Sequence, residues 1–291
     1  MIREHLVTVD GRKLAVLDAG DESGPAVIGS HGTPGSALIW RGVVDDAAAR
    51  GMRVIGYDRP GYGKSDPHPG RRVADVAADV AAIADALGIG PFAVVGGSGG
   101  GPHTLACAAL LPDRVVAAAS LAGVAPYPAE GLDWLDGMGQ DNVDEFGAAL
   151  DGRETLEPFL EKQAEAMLSA EPETLVEALA SLCSPPDVAV LTGEFAEYVL
   201  AATRRAIGGS LEGWIEDDFV FMEPWGFELD EISVPVQLWH GAQDRFVPVA
   251  HGRWLEERIP GVEAHISEED GHLSIQLGRI GDVNAWLVER F

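Results

Sequence analysis

The chain has little cysteine and no long apolar run. Cys107 and Cys183 are the only cysteines among 291 residues, too few for the disulfide framework of a small secreted domain. The N-terminal residues Met1–His5 contain an acid and no apolar core of signal-peptide length. No segment approaches the roughly 18 consecutive apolar residues of a transmembrane helix. We therefore expect a cytoplasmic protein with no membrane partner.

Basic residues are also scarce. The 20 lysines and arginines stand against 47 aspartates and glutamates, which gives a formal net charge of -27 at pH 7. A surface of this charge repels polyanions and acidic membranes, so the composition argues against a nucleic-acid partner. The acidity itself fits either solubility or an adaptation to high salt.

The chain lacks the glycine-rich motifs that bind nucleotides. Neither G-x-G-x-x-G nor G-x-x-x-x-G-K-[ST] occurs in it. His240 and Asp244 are close in sequence, but no third residue follows at the spacing of a metal site. We therefore expect no cofactor and no metal.

Strand and helix patterns alternate at both ends of the chain. Strands are predicted at 4–9, 13–18, 26–29, 53–57, 92–95, 115–121, 234–239 and 262–266. Helices are predicted at 37–50, 72–87, 101–111, 248–259 and 273–290. This alternation predicts an α/β fold, with a mostly parallel sheet covered by helices on both faces.

The alternation stops over residues 124–230, which are rich in helix signals and acidic residues. We predict that residues 1–123 and 231–291 form one core domain and that residues 124–230 are an inserted helical lid. A connection of about 100 residues is too long to lack structure of its own. The lid is expected to provide an apolar pocket wall. Its aromatic residues fit either that wall or the lid's own core: Trp134, Phe146, Phe159, Phe195, Tyr198 and Trp214.

A serine lies in a run of glycines between a predicted strand and a predicted helix. The segment Gly96-Gly97-Ser98-Gly99-Gly100 matches G-x-S-x-G, the strained turn that presents a nucleophilic serine above a sheet. Gly96 and Gly100 are needed there because the turn is tight and the helix packs close to it. Ser98 is therefore the predicted nucleophile.

A serine nucleophile needs a base that an acid orients. Of the histidines after the lid, His251 falls in a predicted helix and His265 in a predicted strand. His272 follows a strand and precedes the last helix, at the sheet edge where ligands bind in open α/β sheets. We predict His272 as the base.

Two aspartates could orient this base. Asp244 directly follows a buried strand, on the same sheet edge as Ser98 and His272. Asp270 lies two residues before His272, and a side chain so close in sequence rarely points back at the imidazole. We predict Asp244 as the acid.

An oxyanion needs two backbone N–H donors. One comes from Gly99, the residue after the nucleophile. The loop His31–Gly35 provides the second, and because Pro34 has no N–H, Thr33 is the predicted donor, with its hydroxyl as an additional one. His31 and Gly32 shape the same loop.

These segments together resemble the α/β-hydrolase superfamily. His31–Gly35 (HGTPG) is similar to its HG-x-PG oxyanion loop, and Asp58–Asp66 (DRPGYGKSD) to its D-x-x-G-x-G-x-S loop. The resemblance implies that Ser98, Asp244 and His272 form a catalytic triad and that the insertion is the family's variable lid. Haloalkane dehalogenases and epoxide hydrolases of this superfamily carry aspartate at the nucleophile position, so Ser98 argues against both.

We therefore predict a serine hydrolase that cleaves a small or medium carboxylic ester, with a small acyl compound as its partner. An acyltransferase, lactonase, C–C bond hydrolase or aminopeptidase with the same triad is an alternative. A ligand receptor without catalysis on the same scaffold is another.

Overall fold

The structure is a computed structural model that describes residues 2–291. Its eight strands are β1 (Arg3–Val9), β2 (Arg12–Gly20), β3 (Ala26–Ser30), β4 (Arg53–Tyr57), β5 (Phe92–Gly97), β6 (Val115–Leu121), β7 (Val236–Gly241) and β8 (Glu263–Ser267). The helices outside the lid are α1 (Arg41–Ala49), α2 (Val76–Ala86), α3 (Gly100–Leu110), α10 (Val249–Glu256), α11 (His272–Gly278) and α12 (Ile280–Val288). The lid contributes α4 (Gln140–Asp151), α5 (Arg153–Ser169), α6 (Leu175–Ala178), α7 (Pro185–Val190), α8 (Gly193–Ile207) and α9 (Glu212–Phe221).

The strands form one sheet in the order β1-β2-β4-β3-β5-β6-β7-β8. β1 and β2 form an antiparallel hairpin whose turn, Asp10-Gly11, has positive φ at both residues. β2 also runs antiparallel to β4, and every later pairing is parallel. The predicted α/β-hydrolase fold with a mostly parallel sheet is therefore confirmed.

Helices cover both faces of the sheet and bury its apolar side chains. On one face, α2 and α3 pack with residues such as Val80, Ile83 and Leu105. On the other face, α1 and α12 pack with residues such as Ala47 and Leu287. The inner parallel strands β3, β4, β5 and β6 are covered on both sides and are therefore mostly apolar and buried.

The lid helices lie between β6 and β7 in the chain, within the predicted insertion. They have a core of their own, which includes Leu156, Leu160, Trp214 and Ile215. The predicted domain boundaries stay a prediction. None of the helices between residues 2 and 291 has the length and apolar character that a membrane span requires.

Several helix bounds differ from the predicted ones: α2 begins at Val76 and not at residue 72, and α10 ends at Glu256 and not at residue 259. Two further differences have a visible cause. The helix expected at 37–50 begins at Arg41, because the Ala37 N–H donates to the Asp58 carboxylate at 2.6 Å and holds the preceding segment as a loop. The helix expected at 273–290 breaks at Arg279 into α11 and α12. Gly278 ends α11, as expected of a residue that loses more entropy in a helix than any other.

Candidate active site

Ser98 occupies a sharp turn between β5 and α3. Its φ is +55°, a left-handed conformation that non-glycine residues adopt at a cost and that is concentrated at functional sites. The Ser98 N–H donates to the Leu121 carbonyl at 2.9 Å, and the Ser98 carbonyl accepts from the Gly101 N–H at 2.9 Å. The turn is thus held on both sides, and the partly exposed serine lines a cavity at the sheet edge.

The glycines beside Ser98 allow the close packing that the turn needs. A Cβ on Gly96 would collide with the Gly100 carbonyl and with Thr104, and a Cβ on Gly100 would collide with the Ser30 carbonyl. Gly32, on the neighbouring loop, approaches Ser98 so closely that a Cβ there would lie 3.2 Å from the serine Cβ.

Asp244 and His272 meet at the carboxyl ends of β7 and β8. Both residues are buried, and His272 Nδ1 lies 2.7 Å from Asp244 Oδ2. The other carboxylate oxygen accepts from the Phe246 and Val247 N–H groups at 2.9 and 2.8 Å. These bonds fix the carboxylate, which in turn fixes the imidazole with Nδ1–H as donor.

The pKa of His272 is set by two opposing effects. Burial lowers the pKa of His272, but the charge and hydrogen bond of Asp244 outweigh burial, so that its pKa is raised above the usual value of 6.5. Among residues 2–291 no hydrogen bond joins Ser98 to His272, although both line the same cavity. Catalytic hydrogen bonds are often long in the absence of substrate.

The alternative candidates for the acid and the base make other contacts. Asp270 accepts from Ser267 Oγ at 2.6 Å and from Arg279 at 3.1 Å, and not from His272. His251 is fully buried and bridges the Ala125 N–H and the Trp134 carbonyl. His265 stacks on Trp239 with ring centroids 4.2 Å apart. These histidines have structural contacts that explain them.

The loop after β3 brings Thr33 next to Gly99. A Cβ on Gly99 would collide with Thr33 Oγ1, and within residues 2–291 the N–H groups of both residues donate no backbone hydrogen bond. His31 Nε2 accepts from the Arg59 N–H at 3.0 Å, and its Nδ1 lies 2.7 Å from the Gly32 carbonyl. Burial holds the pKa of His31 well below its usual value, so this side chain is a neutral support for the loop.

The hydroxyl of Thr33 is engaged by a buried aspartate of the lid. Thr33 Oγ1 donates to Asp217 Oδ2 at 2.5 Å and accepts from Arg59 Nη2 at 3.0 Å. The expectation that this hydroxyl also faces the oxyanion is therefore wrong, because its proton points at Asp217. The backbone N–H stays the predicted donor.

Asp217 is the centre of a network that sequence reasoning missed. Its fully buried carboxylate pairs with Arg59 at 2.6 Å and Arg71 at 2.7 Å, and it accepts from the Tyr62 hydroxyl at 2.8 Å. Burial would raise the pKa of Asp217, but the two guanidinium groups outweigh burial and hold it well below the usual range. This network fastens the oxyanion loop to α9.

A second lid aspartate supports the histidine. Asp187 is fully buried, and its carboxylate accepts from the backbone N–H groups of His272, Leu273 and Ser274 at 3.1, 2.8 and 3.1 Å. It therefore caps the start of α11, which carries His272. The sequence Ser184-Pro-Pro-Asp187 does signal a helix start, but nothing in it indicates that its acid serves a second helix.

The cavity beside Ser98 has a volume of about 450 Å³. Four of the six lid aromatics named above line it: Phe146, Phe195, Tyr198 and Trp214. The other two do not, because Trp134 packs on His251 and Phe159 on the lid core. Phe246 stacks on the His272 ring with centroids 4.6 Å apart.

The lining residues that can carry charge are Asp141, Glu145, Asp218, His31 and His272. No lysine or arginine is among the described residues of this wall.

No group of three or more histidine, cysteine, aspartate or glutamate side chains suitable for a metal ion occurs among residues 2–291. The expectation that the chemistry needs no cofactor stays a prediction.

The family model of the alpha/beta hydrolase fold matches residues 25–278. The chain therefore belongs to this family of hydrolases, and the resemblance drawn from its motifs is confirmed.

Three curated relatives indicate the range of activities among similar chains. A pimeloyl-[acyl-carrier protein] methyl ester esterase from Chromobacterium violaceum is 32% identical and matches 81% of this chain and 83% of its own length. A 2-hydroxy-6-oxononadienedioate/2-hydroxy-6-oxononatrienedioate hydrolase from Burkholderia vietnamiensis is 28% identical over 91% of this chain and 87% of that protein. A non-heme chloroperoxidase from Streptomyces lividans is 36% identical, but the match spans 50% of this chain and about half, 53%, of that protein.

Proposed function

We propose that the protein is a serine hydrolase that cleaves a small or medium carboxylic ester through an acyl-enzyme on Ser98. The observation that carries the proposal is the 2.7 Å contact of His272 Nδ1 with the fixed Asp244 carboxylate, on the same cavity as Ser98. A buried imidazole oriented by a carboxylate, on the same cavity as a strained serine, provides the groups that nucleophilic acyl transfer uses.

In the proposed first step, Ser98 Oγ attacks the ester carbonyl carbon and passes its proton to His272 Nε2. Asp244 holds the imidazole and stabilises its positive charge. The N–H groups of Thr33 and Gly99 donate to the carbonyl oxygen as it becomes an oxyanion. His272 then gives the proton to the departing alcohol, which leaves the acyl group on Ser98.

In the second step, water replaces the alcohol. His272 removes a proton from the water, the hydroxide attacks the acyl carbon, and the proton returns to Ser98 as the acid leaves. An acyltransferase would use another alcohol or an amine in place of this water. The cavity of about 450 Å³ suits acyl groups of small or medium size.

The charges on the cavity wall favour a substrate without an anionic group. A dioate such as the substrate in the name of the Burkholderia relative carries two carboxylates, and buried carboxylates are generally bound by arginine or lysine. The described wall of this cavity has neither. The ester reading, which the name of the Chromobacterium relative also supports, is therefore preferred over C–C bond cleavage of a dioate.

The proposal is tested by turnover of p-nitrophenyl butyrate. We expect the wild-type protein to release p-nitrophenol and Ser98→Ala to lose about 10⁴-fold or more in kcat. Ser169→Ala, a change at an exposed serine of the lid, is the matched control and should leave kcat unchanged. A receptor would turn over no ester, lactone or anilide in a substrate panel. An acyltransferase would give a new ester when a second alcohol is added.

A further inference from the structure

Two acidic side chains of the lid meet on the wall of the Ser98 cavity without a cation. Glu145 projects from α4 and Asp218 from α9, and both line the cavity. Glu145 accepts from Trp214 Nε1 at 2.7 Å. Asp218 is fully buried within the protein, and its carboxylate oxygens receive no hydrogen bond from an N–H or hydroxyl group among residues 2–291. Its one side-chain hydrogen-bond partner is the Glu145 carboxyl.

This arrangement differs from that of the neighbouring Asp217. The carboxylate of Asp217 is matched by Arg59 and Arg71 and by two hydroxyl donors. Asp218 has no guanidinium or hydroxyl partner. Two buried carboxyl groups side by side are costly to ionise together, so they share a proton or bind a cation. Nothing else among the described contacts of the pair balances a second negative charge.

The charge environment increases the need for a partner. Burial raises the pKa of both carboxyls. The charge of Glu145 and then that of Asp217 raise the pKa of Asp218 further, and the charge of Asp141 raises that of Glu145. Without a bound cation, the two carboxyl groups of Glu145 and Asp218 therefore retain one proton between them. A bound cation would replace that proton. Since the described wall of the cavity holds no lysine or arginine, a cation that replaces this proton would come from outside the chain.

We propose that Glu145 and Asp218 bind a primary ammonium group of the substrate. A primary ammonium carries one positive charge and three N–H donors, so it can donate to both carboxylates at once. A quaternary ammonium has no donor and would leave the Asp218 oxygens unpaired. A metal ion is a poorer match, because no third histidine, cysteine or carboxylate completes a metal site here among residues 2–291.

The location of the pair links the ammonium to the reaction. Asp218 lies on α9 between Asp217, which contacts Thr33, and Phe221, which packs beside Gly99. It is within one helical turn, about 5.4 Å along the axis, of the residues that contact both oxyanion donors. Resting on the proposed esterase function, this assigns an ester with a nearby ammonium as the substrate class.

The first test uses n-butylammonium chloride and 1-butanol as inhibitors of p-nitrophenyl acetate hydrolysis at pH 8, with potassium chloride holding the ionic strength constant. The two probes are matched in chain length and differ in charge. We expect n-butylammonium to inhibit competitively with a Ki at least ~10-fold below that of 1-butanol. Equal Ki values in the wild-type protein would overturn the proposal, whatever the behaviour of any variant.

The second test uses Glu145→Gln and Asp218→Asn. Each should reduce the preference for n-butylammonium at least ~5-fold and leave the Ki of 1-butanol unchanged. Glu154→Gln, at an exposed acid of the same lid, is the matched control and should keep the full preference. A preference that survives in both pair variants would assign the ammonium to another place and contradict the proposal.

The outcome can be separated from that of the esterase proposal. Should the wild-type protein hydrolyse no ester, the esterase proposal fails, and calorimetric titration of n-butylammonium and 1-butanol into Ser98→Ala still measures the ammonium site directly. Heat of binding for n-butylammonium alone would support the site without esterase activity. Hydrolysis without any ammonium preference would support the esterase and refute the site.

Discussion

The adjacent aspartates of α9 provide a matched pair of substitutions. Both Asp217 and Asp218 are fully buried, yet only Asp217 is paired with guanidinium groups. Asp217→Asn keeps the shape of the side chain but turns one acceptor oxygen into a donor that faces Arg59 or Arg71. It also leaves two buried cations without a counter-charge, and the loss of one partner from a buried ion pair costs about 3–5 kcal/mol.

We therefore expect Asp217→Asn to lower the free energy of unfolding by about 3–5 kcal/mol, which corresponds to a decrease of roughly 10 °C in Tm for a chain of this size. Asp218→Asn removes a buried acid that has no cationic partner and should change stability by less than about 1 kcal/mol or increase it. Urea denaturation followed by tryptophan fluorescence measures both. An equal loss in the two variants would refute the assignment of the ion-pair network to Asp217.

The ion pairs of Asp217 also predict how the stability of the fold changes at low pH. An aspartate whose pKa is lowered in the folded state stabilises the fold above its unfolded pKa of about 3.9, and that contribution disappears as the pH falls through the folded value. Arg59, Arg71 and the Tyr62 and Thr33 hydroxyls are the groups that face Asp217. The stability gap between wild type and Asp217→Asn should therefore narrow below about pH 4. A constant gap would contradict this reasoning.

Three further predictions concern the catalytic groups. Asp244→Asn should preserve the fold and reduce kcat for p-nitrophenyl butyrate by up to about 10⁴-fold, whereas Asp270→Asn should have a small effect; the reverse ranking would move the acid to Asp270. Asp244 raises the pKa of His272, so kcat/KM should increase with pH through an apparent pKa above about 6.5. A pH profile of kcat/KM that increases through an apparent pKa clearly below that value would argue against His272 as the base. Asp187→Ala leaves three backbone N–H groups at the start of α11 without an acceptor, so Tm and kcat should both decrease, with a stability loss of about 1–3 kcal/mol; an unchanged Tm would show that these bonds contribute nothing.

Much of the core could be predicted from local patterns. Apolar runs and helical spacing locate the strands, and the ends of parallel strands meet at one edge of a sheet. Ser98, Asp244 and His272 each follow such a strand, so their proximity follows from topology. The start of α1 could not be predicted, because it depends on a hydrogen bond from Ala37 to Asp58 across the fold.

The supporting residues of the lid could not be predicted for the same physical reason. Asp217 lies 184 positions from Thr33, and Asp187 lies 85 positions from His272. In the sequence both look like ordinary acids of an acidic helical segment, and helical periodicity does not specify which loop a helix covers. The pairing of Glu145 with Asp218 likewise depends on how α4 and α9 pack.

The identity of the nucleophile tests the account most directly. A fluorophosphonate reacts with an activated serine, so the wild-type protein should gain one covalent adduct, and peptide mass spectrometry should locate it on Ser98. Ser98→Ala should gain none under the same conditions. An adduct on another serine, or ester turnover that persists without any adduct on Ser98, would contradict the mechanism.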